Sequence, residues 1–154
     1  MINPSQQQTI ETMSEMCEAI DSLKGVNNTL IAQCDNFAQQ KEYIAEYEMR
    51  LLPDMQPYWV SIQTNSFTLS LYLTLSELVA KYDLLQRNAL ITVVGIGGLS
   101  GDPLKYFIAS LEYRREQLLR LPFTIVLWTN SETRQAIQRE APAFYQNARG
   151  VFLF

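Results

Sequence analysis

Histidine is absent from all 154 residues. That absence removes the usual general base, the usual zinc ligand and the side chain that titrates near neutrality, so Ser-His, Cys-His and His-metal sites are excluded. Cysteine is scarce: Cys17 and Cys34 are the two in the chain, and without CxxC spacing they make neither a metal knuckle nor a redox pair. No basic-then-apolar leader opens the sequence, and no apolar run approaches the roughly 18 residues a membrane helix needs. A reduced cytoplasmic setting, without membrane, is the expectation. Glycine is also sparse, and none occurs in the turn after the first apolar run, from Gln33 to Lys41. A phosphate reaches a backbone closely only where glycines clear the way, so this turn lacks the phosphate cradle of nucleotide-binding α/β proteins.

What is present is a 47% hydrophobic chain, enough for one domain with its own core and too short for two of ordinary size. Net charge is −4, and it is unevenly shared. Residues 1–77 hold 3 Lys and Arg against 10 Asp and Glu, and residues 78–154 hold 9 against 6. Most of the basic excess comes from Arg114, Arg115, Arg120, Arg134, Arg139 and Arg149. Solvated helix faces explain them most simply; a contact surface for an acidic partner at Arg114, Arg115, Arg120, Arg134 and Arg139 is the sharper reading. No aromatic RNA platform accompanies them, so nucleic acid is not the expected partner.

Periodicity predicts five short strands alternating with helices. Ser5 and Gln8 read as a capping box before an amphipathic helix carrying Ile10, Met13, Cys17, Ile20 and Leu23, ended by Lys24-Gly25. Thr29–Ala32 is the first strand. Asp35 or Asn36 caps a second helix, with Tyr43, Ile44, Tyr47 and Leu51 inward, up to Pro53. Tyr58–Ile62 is the second strand, and Asn65 or Ser66 opens a third helix with Leu69, Leu73, Leu75, Leu78, Val79 and Tyr82 as core. Ala89–Ile96 is a strand expected near the centre of the sheet. Asp102-Pro103 then caps a long helix through Leu118. Phe123–Trp128 is the fourth strand, Asn130 or Ser131 caps a helix to about Glu140, and Val151–Phe154 is the fifth. This order predicts an α/β three-layer sandwich with a mainly parallel five-stranded sheet. It is one domain over 1–154: an N-terminal helix over 1–25 and a core over 28–154. The apolar Val-Phe-Leu-Phe end either docks into the sheet or marks a module cut from a longer protein, and the second is expected.

Ligands of open parallel sheets bind at the carboxyl ends of the strands, where Cys34, Asp35, Asn65, Ser100, Asp102, Thr129 and Asn130 are expected to converge. None forms a base-activated nucleophile. Cys34 reads as an inert buried thiol, and Asp35 and Asp102 as helix caps rather than metal ligands. Trp59, Trp128 and the tyrosines of the second helix read as core, with a contact surface as the alternative. Gly95, Gly97, Gly98 and Gly101 form G-x-G-G-x-x-G between a strong strand and a helix, without the acidic residue a dinucleotide fold needs at the next strand tip. Sharp turning and close packing account for them best; the alternative is an anion site at Gly95, Gly97, Gly98, Ser100, Gly101 and Asp102.

The strings Thr29–Asn36, Ile91–Ile96, Tyr113–Leu118, Leu121–Trp128, Ala141–Phe144 and Gly150–Phe154 resemble the small, degenerate STAND-type P-loop ATPase-like domains of large bacterial proteins, over most of the chain from about Asn28. The resemblance implies a P-loop ATPase sheet arrangement and a place beside repeat or effector domains in signalling and conflict-response proteins. It puts the first strand and its turn at the phosphate-loop position, Ile91–Ile96 at the metal-holding position and Thr129-Asn130 at the polar sensor. G-x-x-x-x-G-K-[ST] is missing, and Gly95 and Gly97-Gly98 stand where a metal-binding carboxylate is wanted. The expectation is therefore a non-catalytic adaptor or scaffold with no cofactor and no metal. Its partner would be a protein or a neighbouring domain; the alternative is a nucleotide- or anion-binding domain.

Overall fold

The computed structural model describes residues 2–23, 25–66, 68–86 and 88–154. Five strands form one sheet: β1 (Asn28–Gln33), β2 (Gln56–Ser61), β3 (Ala89–Val94), β4 (Thr124–Thr129) and β5 (Gly150–Leu153). Every pairing is parallel and the spatial order is β2-β3-β4-β1-β5. β1, β3 and β4 are nearly continuous runs of buried residues, as interior parallel strands covered on both faces must be. β3 lies inside the sheet between β2 and β4, and the middle position belongs to β4. The two edges are β2, which tolerates Pro57, and β5.

Helices cover both faces. α1 (Pro4–Ser22) and α2 (Phe37–Leu51) bury Met13, Met16, Ile20, Ile44, Tyr47 and Leu51 with Leu30, Leu90, Val126 and Trp128 of the sheet. On the opposite face, α3 (Leu71–Tyr82), α4 (Gly101–Tyr113), α5 (Arg115–Leu119), α6 (Ser131–Glu140) and α7 (Pro142–Asn147) pack on Ile31, Ile91, Val93, Ile125 and Leu127. Alternate residues of each strand thus feed two separate cores. Among the described residues no helix is long and apolar enough to cross a membrane.

Several boundaries differ from the sequence expectation, each for a local reason. The capping box of α1 is Asn3 with Gln6, not Ser5 with Gln8: Gln6 N donates to Asn3 Oδ1 at 2.8 Å and Asn3 N to Gln6 Oε1 at 3.0 Å, with Pro4 at the first helical position. α1 ends at Ser22 with Leu23 as its C-cap; Lys24 of the expected stop lies outside the described residues. Of the two expected caps of α2, Asn36 is the one that serves, accepting from Gln39 N at 2.9 Å. Asn65 and Ser66 do not open α3. Ser66 instead closes a turn with Gln63, and Ser70 is the cap, so Leu71 and Leu75 are the buried positions while Leu73 and Tyr82 are exposed. Asp102 is not the cap of α4. Ser100 holds that position without a side-chain bond, and Asp102 and Pro103 lie within the first turn. The long helix expected through Leu118 breaks at Arg114, where φ is −99° and ψ is 15°.

α7 escapes any local reading because its cap comes from elsewhere. Its N-cap is Ala141, which has no side-chain acceptor. The Glu112 carboxylate of α4 accepts from Phe144 N at 2.8 Å and Ala143 N at 3.1 Å instead. A charge-assisted bond to free amides at a helix start satisfies groups that burial would otherwise leave orphaned.

Candidate functional site: a cleft at the carboxyl ends of β1 and β4

The helices after β1 and β4 leave toward opposite faces, α2 to one and α6 to the other. Adjacent strands whose connections diverge this way open a crevice beyond their carboxyl ends. Here the crevice is a cleft of about 320 Å³ lined by Cys34, Asp35, Phe37, Gln40, Gly95, Gly97, Gly98, Trp128, Thr129 and Asn130. The topology thus brings Cys34, Asp35, Thr129 and Asn130 together as the sequence implied. Asn65, Ser100, Gly101 and Asp102 are not among the lining residues, so the expected convergence is narrower than the full set. Phe37 and Gln40 line the cleft and were not anticipated, since nothing local marks the first turn of α2 as a wall.

The chemistry of the lining is specific. Asp35 Oδ1 accepts the Ser131 amide at 2.7 Å, placing a carboxylate at the head of α6. Asn130 Oδ1 accepts Thr133 N at 2.8 Å, and Asn130 Nδ2 donates to Gly97 O at 3.4 Å. Thr129 Oγ1 donates to Ala32 O at 3.1 Å. No lysine or arginine is among the described residues lining the cleft. Lys41 stands nearby, with Nζ 4.8 Å from the centroid of the exposed Phe37 ring. Cys34 is buried and its Sγ donates to Asn36 O at 3.2 Å. Desolvation, aided by the Asp35 charge and opposed by the bond to Asn36, pushes the thiol above its usual value, so it is a poor nucleophile.

The glycines divide by role. Gly95 turns the chain after β3 with φ +90°, and a Cβ there would lie 2.3 Å from Ile62 O. At Gly97 a Cβ would meet Asn130 Nδ2 at 3.0 Å. Close packing is thus real, but its partners are the end of β2 and the β4–α6 corner. Among the described residues no group of three or more acidic or cysteine side chains is placed to hold a metal.

A polar chain backs the cleft. Trp128, 1% exposed, donates from Nε1 to Tyr47 Oη at 3.3 Å, and the Tyr47 and Thr92 hydroxyls hydrogen-bond to each other. Trp59 Nε1 donates to Glu48 Oε1 at 2.5 Å. Trp59 is 49% exposed on the edge strand, not core as its residue type suggested, whereas Trp128 is core. Burial pushes the Glu48 carboxyl above its usual value, against the bonds from Trp59 and Thr92. Burial likewise pushes the Tyr47 phenol above its usual value near 10, outweighing its bonds to Thr92 and Trp128. A folded pKa raised above the unfolded one gives stability that is complete below the unfolded value and is lost as pH rises toward the folded value. Unfolding free energy is therefore expected to fall from about pH 10 upward, by up to about 1.4 kcal/mol per pH unit from this one group. Urea midpoints between pH 8 and 11 check this: Tyr47→Phe is less stable at pH 8 but lacks that part of the slope, and an unchanged slope assigns it to another group.

The five arginines of the expected contact surface are on α4, α5 and α6 and the residues flanking them. Arg114 lies over the Tyr72 and Tyr113 rings at 5.6 and 5.4 Å, and Arg115 Nη1 donates to Glu112 O at 2.8 Å. Arg139 pairs with Glu140 at 3.5 Å on the surface, and Arg120 is exposed. Arg134 is half-buried and donates to Gln33, Gln138 and Tyr145.

Fold and cleft together define a three-layer, all-parallel α/β domain with a crevice at the carboxyl ends of its strands. No family model and no curated protein sequence matches the chain. Among solved structures it is similar to the Aeropyrum pernix ORC2 protein, determined in ADPNP-ADP complexes, with 10% identity and a TM-score of 0.49. That match covers 99% of this chain and 48% of the other, so the chain spans about half the length of the protein it matches. A likeness at that level carries no argument about activity.

Proposed function

We propose that this domain is a non-catalytic, ATPase-like adaptor that holds a partner protein or neighbouring domains within a bacterial signalling or conflict-response protein. The observation that supports the reading is the Asp35 carboxylate on the Ser131 amide at 2.7 Å. In a working nucleotide site the strand-end crevice offers free amides and a lysine to phosphate, and a carboxylate to magnesium. Here the crevice beside the first-strand turn already contains an anion of the protein's own, bonded to the amide at the head of α6. A triphosphate entering beside it meets like charge. The absence of glycine from the Gln33–Lys41 turn, and of an acid at Gly95, Gly97 and Gly98, points the same way.

Calorimetry with ATP, GTP and NAD, each with magnesium, is the direct test. The expected result is no heat of binding at millimolar ligand and phosphate release at the buffer rate. Binding heat that disappears in Gly97→Val, where the new side chain projects toward Asn130, establishes a nucleotide-binding domain in place of the adaptor.

A further inference from the structure

The two edges of the sheet are not equivalent. On β2, Gln56 N donates to Asn88 O and Ile62 N to Val94 O, both at 2.9 Å. Alternation then turns the main-chain groups of Pro57, Trp59 and Ser61 toward the open side. Pro57 has no N–H to offer there, which blunts that edge. On β5, Phe154 N donates to Gln33 O at 2.9 Å. Alternation turns the N–H and C=O of Val151 and Leu153 outward, and neither residue is proline, charged or bulged.

The side chains of β5 sort the same way. Phe152 and Phe154 pack into the α1–α2 core, Phe154 stacking on Tyr43 at 4.7 Å and lying 5.6 Å from Trp128. Val151 and Leu153 face the other side, where α6 packs over β1 and β4, and they are 36% and 55% exposed. Beside this strip stand two cations. Arg149, exposed, immediately precedes the strand. Arg134 is tied to Gln33, the cross-strand neighbour of Leu153, through Nε at 2.5 Å. Its other acceptors are Gln138 and Tyr145, both at 3.2 Å, so its charge is half-buried against neutral groups with no carboxylate among these bonds.

We propose that the β5 edge takes an extended peptide segment of a partner protein, added as a sixth strand, with apolar residues at alternate positions and a carboxylate that meets Arg134. Main-chain bonds to Val151 and Leu153 would supply affinity, and the flanking arginines charge preference. A four-residue edge spans only about 13 Å, so the contact is weak and reversible by itself. The proposal rests on the adaptor reading and names its contact surface, and the nucleotide measurements do not bear on it.

The test uses fluorescein-labelled Glu-Val-Thr-Val-Thr-Val-Glu and its counterpart with lysine at both ends, titrated against the whole chain, with hydrogen exchange read at Val151 and Leu153. The expected result is preference for the acidic peptide and slowed exchange at those two amides. Leu153→Lys, a change at an exposed position, is expected to weaken binding about tenfold or more, since an edge lysine opposes strand addition. Arg134→Gln is expected to cost up to about fivefold, the size of one partly screened ion pair, and to abolish the charge preference. Failure of the acidic peptide to bind, or binding that neither substitution alters, overturns the proposal. So does a dimer in sedimentation that Leu153→Lys dissociates, which assigns the edge to a second copy of the chain.

Discussion

Gly95→Val is expected to destabilise the domain by at least about 3 kcal/mol, because two independent penalties fall on one residue. The backbone there has φ +90°, a region that costs a β-branched residue roughly 1–3 kcal/mol. The new Cβ would also sit 2.3 Å from Ile62 O and 3.3 Å from Ile62 C and N. Those are main-chain atoms of a buried residue whose amide bonds Val94 O at 2.9 Å, so relief requires moving the end of β2 away from β3. At this chain length the loss corresponds to a melting temperature lower by about 6–12 °C. Gly98→Ala is the matched control: a Cβ there meets no atom within 4 Å, and its stability should stay within about 0.5 kcal/mol of the parent. Thermal melts of the two variants side by side decide the point, and equal melting temperatures would show that the Ile62 approach does not constrain the turn.

Trp128→Ala has the second large expected effect, about 3–5 kcal/mol for deleting a buried indole. Trp128 is on the central strand, fully buried, 6.2 Å from Tyr47 and 5.6 Å from Phe154 in near-stacked or tilted geometry. Its removal also strips the Tyr47 hydroxyl of one donor and takes away a wall of the cleft. Trp128→Phe keeps most of the apolar volume and is expected to lose less than half as much. Fluorescence gives an independent check, because Trp59 is half exposed and Trp128 is not. Acrylamide should quench the parent in two components, and Trp128→Phe should retain only the accessible one. A single, fully accessible component in the parent would contradict the burial of Trp128.

Both effects depend on positions whose importance was partly legible beforehand. The run of four β-branched residues in β3, and the apolar run of β4, mark interior strands whatever their partners are. Caps that are local in sequence were read within a residue or two, as at Asn36 and Asn130. Elements supported from a distance were not. α7 depends on Glu112, 31 residues before Ala143; the turn at Ser66 takes the polar residues expected to open α3; and the Asp35–Ser131 bond spans 96 residues. Trp59 was misassigned because residue type alone does not distinguish an edge strand from a central one.

The order of strands and helices, the absence of histidine and the missing phosphate loop belong to the chain itself, because periodicity and side-chain inventory are properties of neighbouring residues. Which strands lie at the edges, where the Asp35 carboxylate points and which neutral groups hold Arg134 were decided only on folding. Each depends on pairings between segments far apart in sequence, and no local pattern encodes the register that brings Gln33 beside Leu153 or Asp35 to the head of α6.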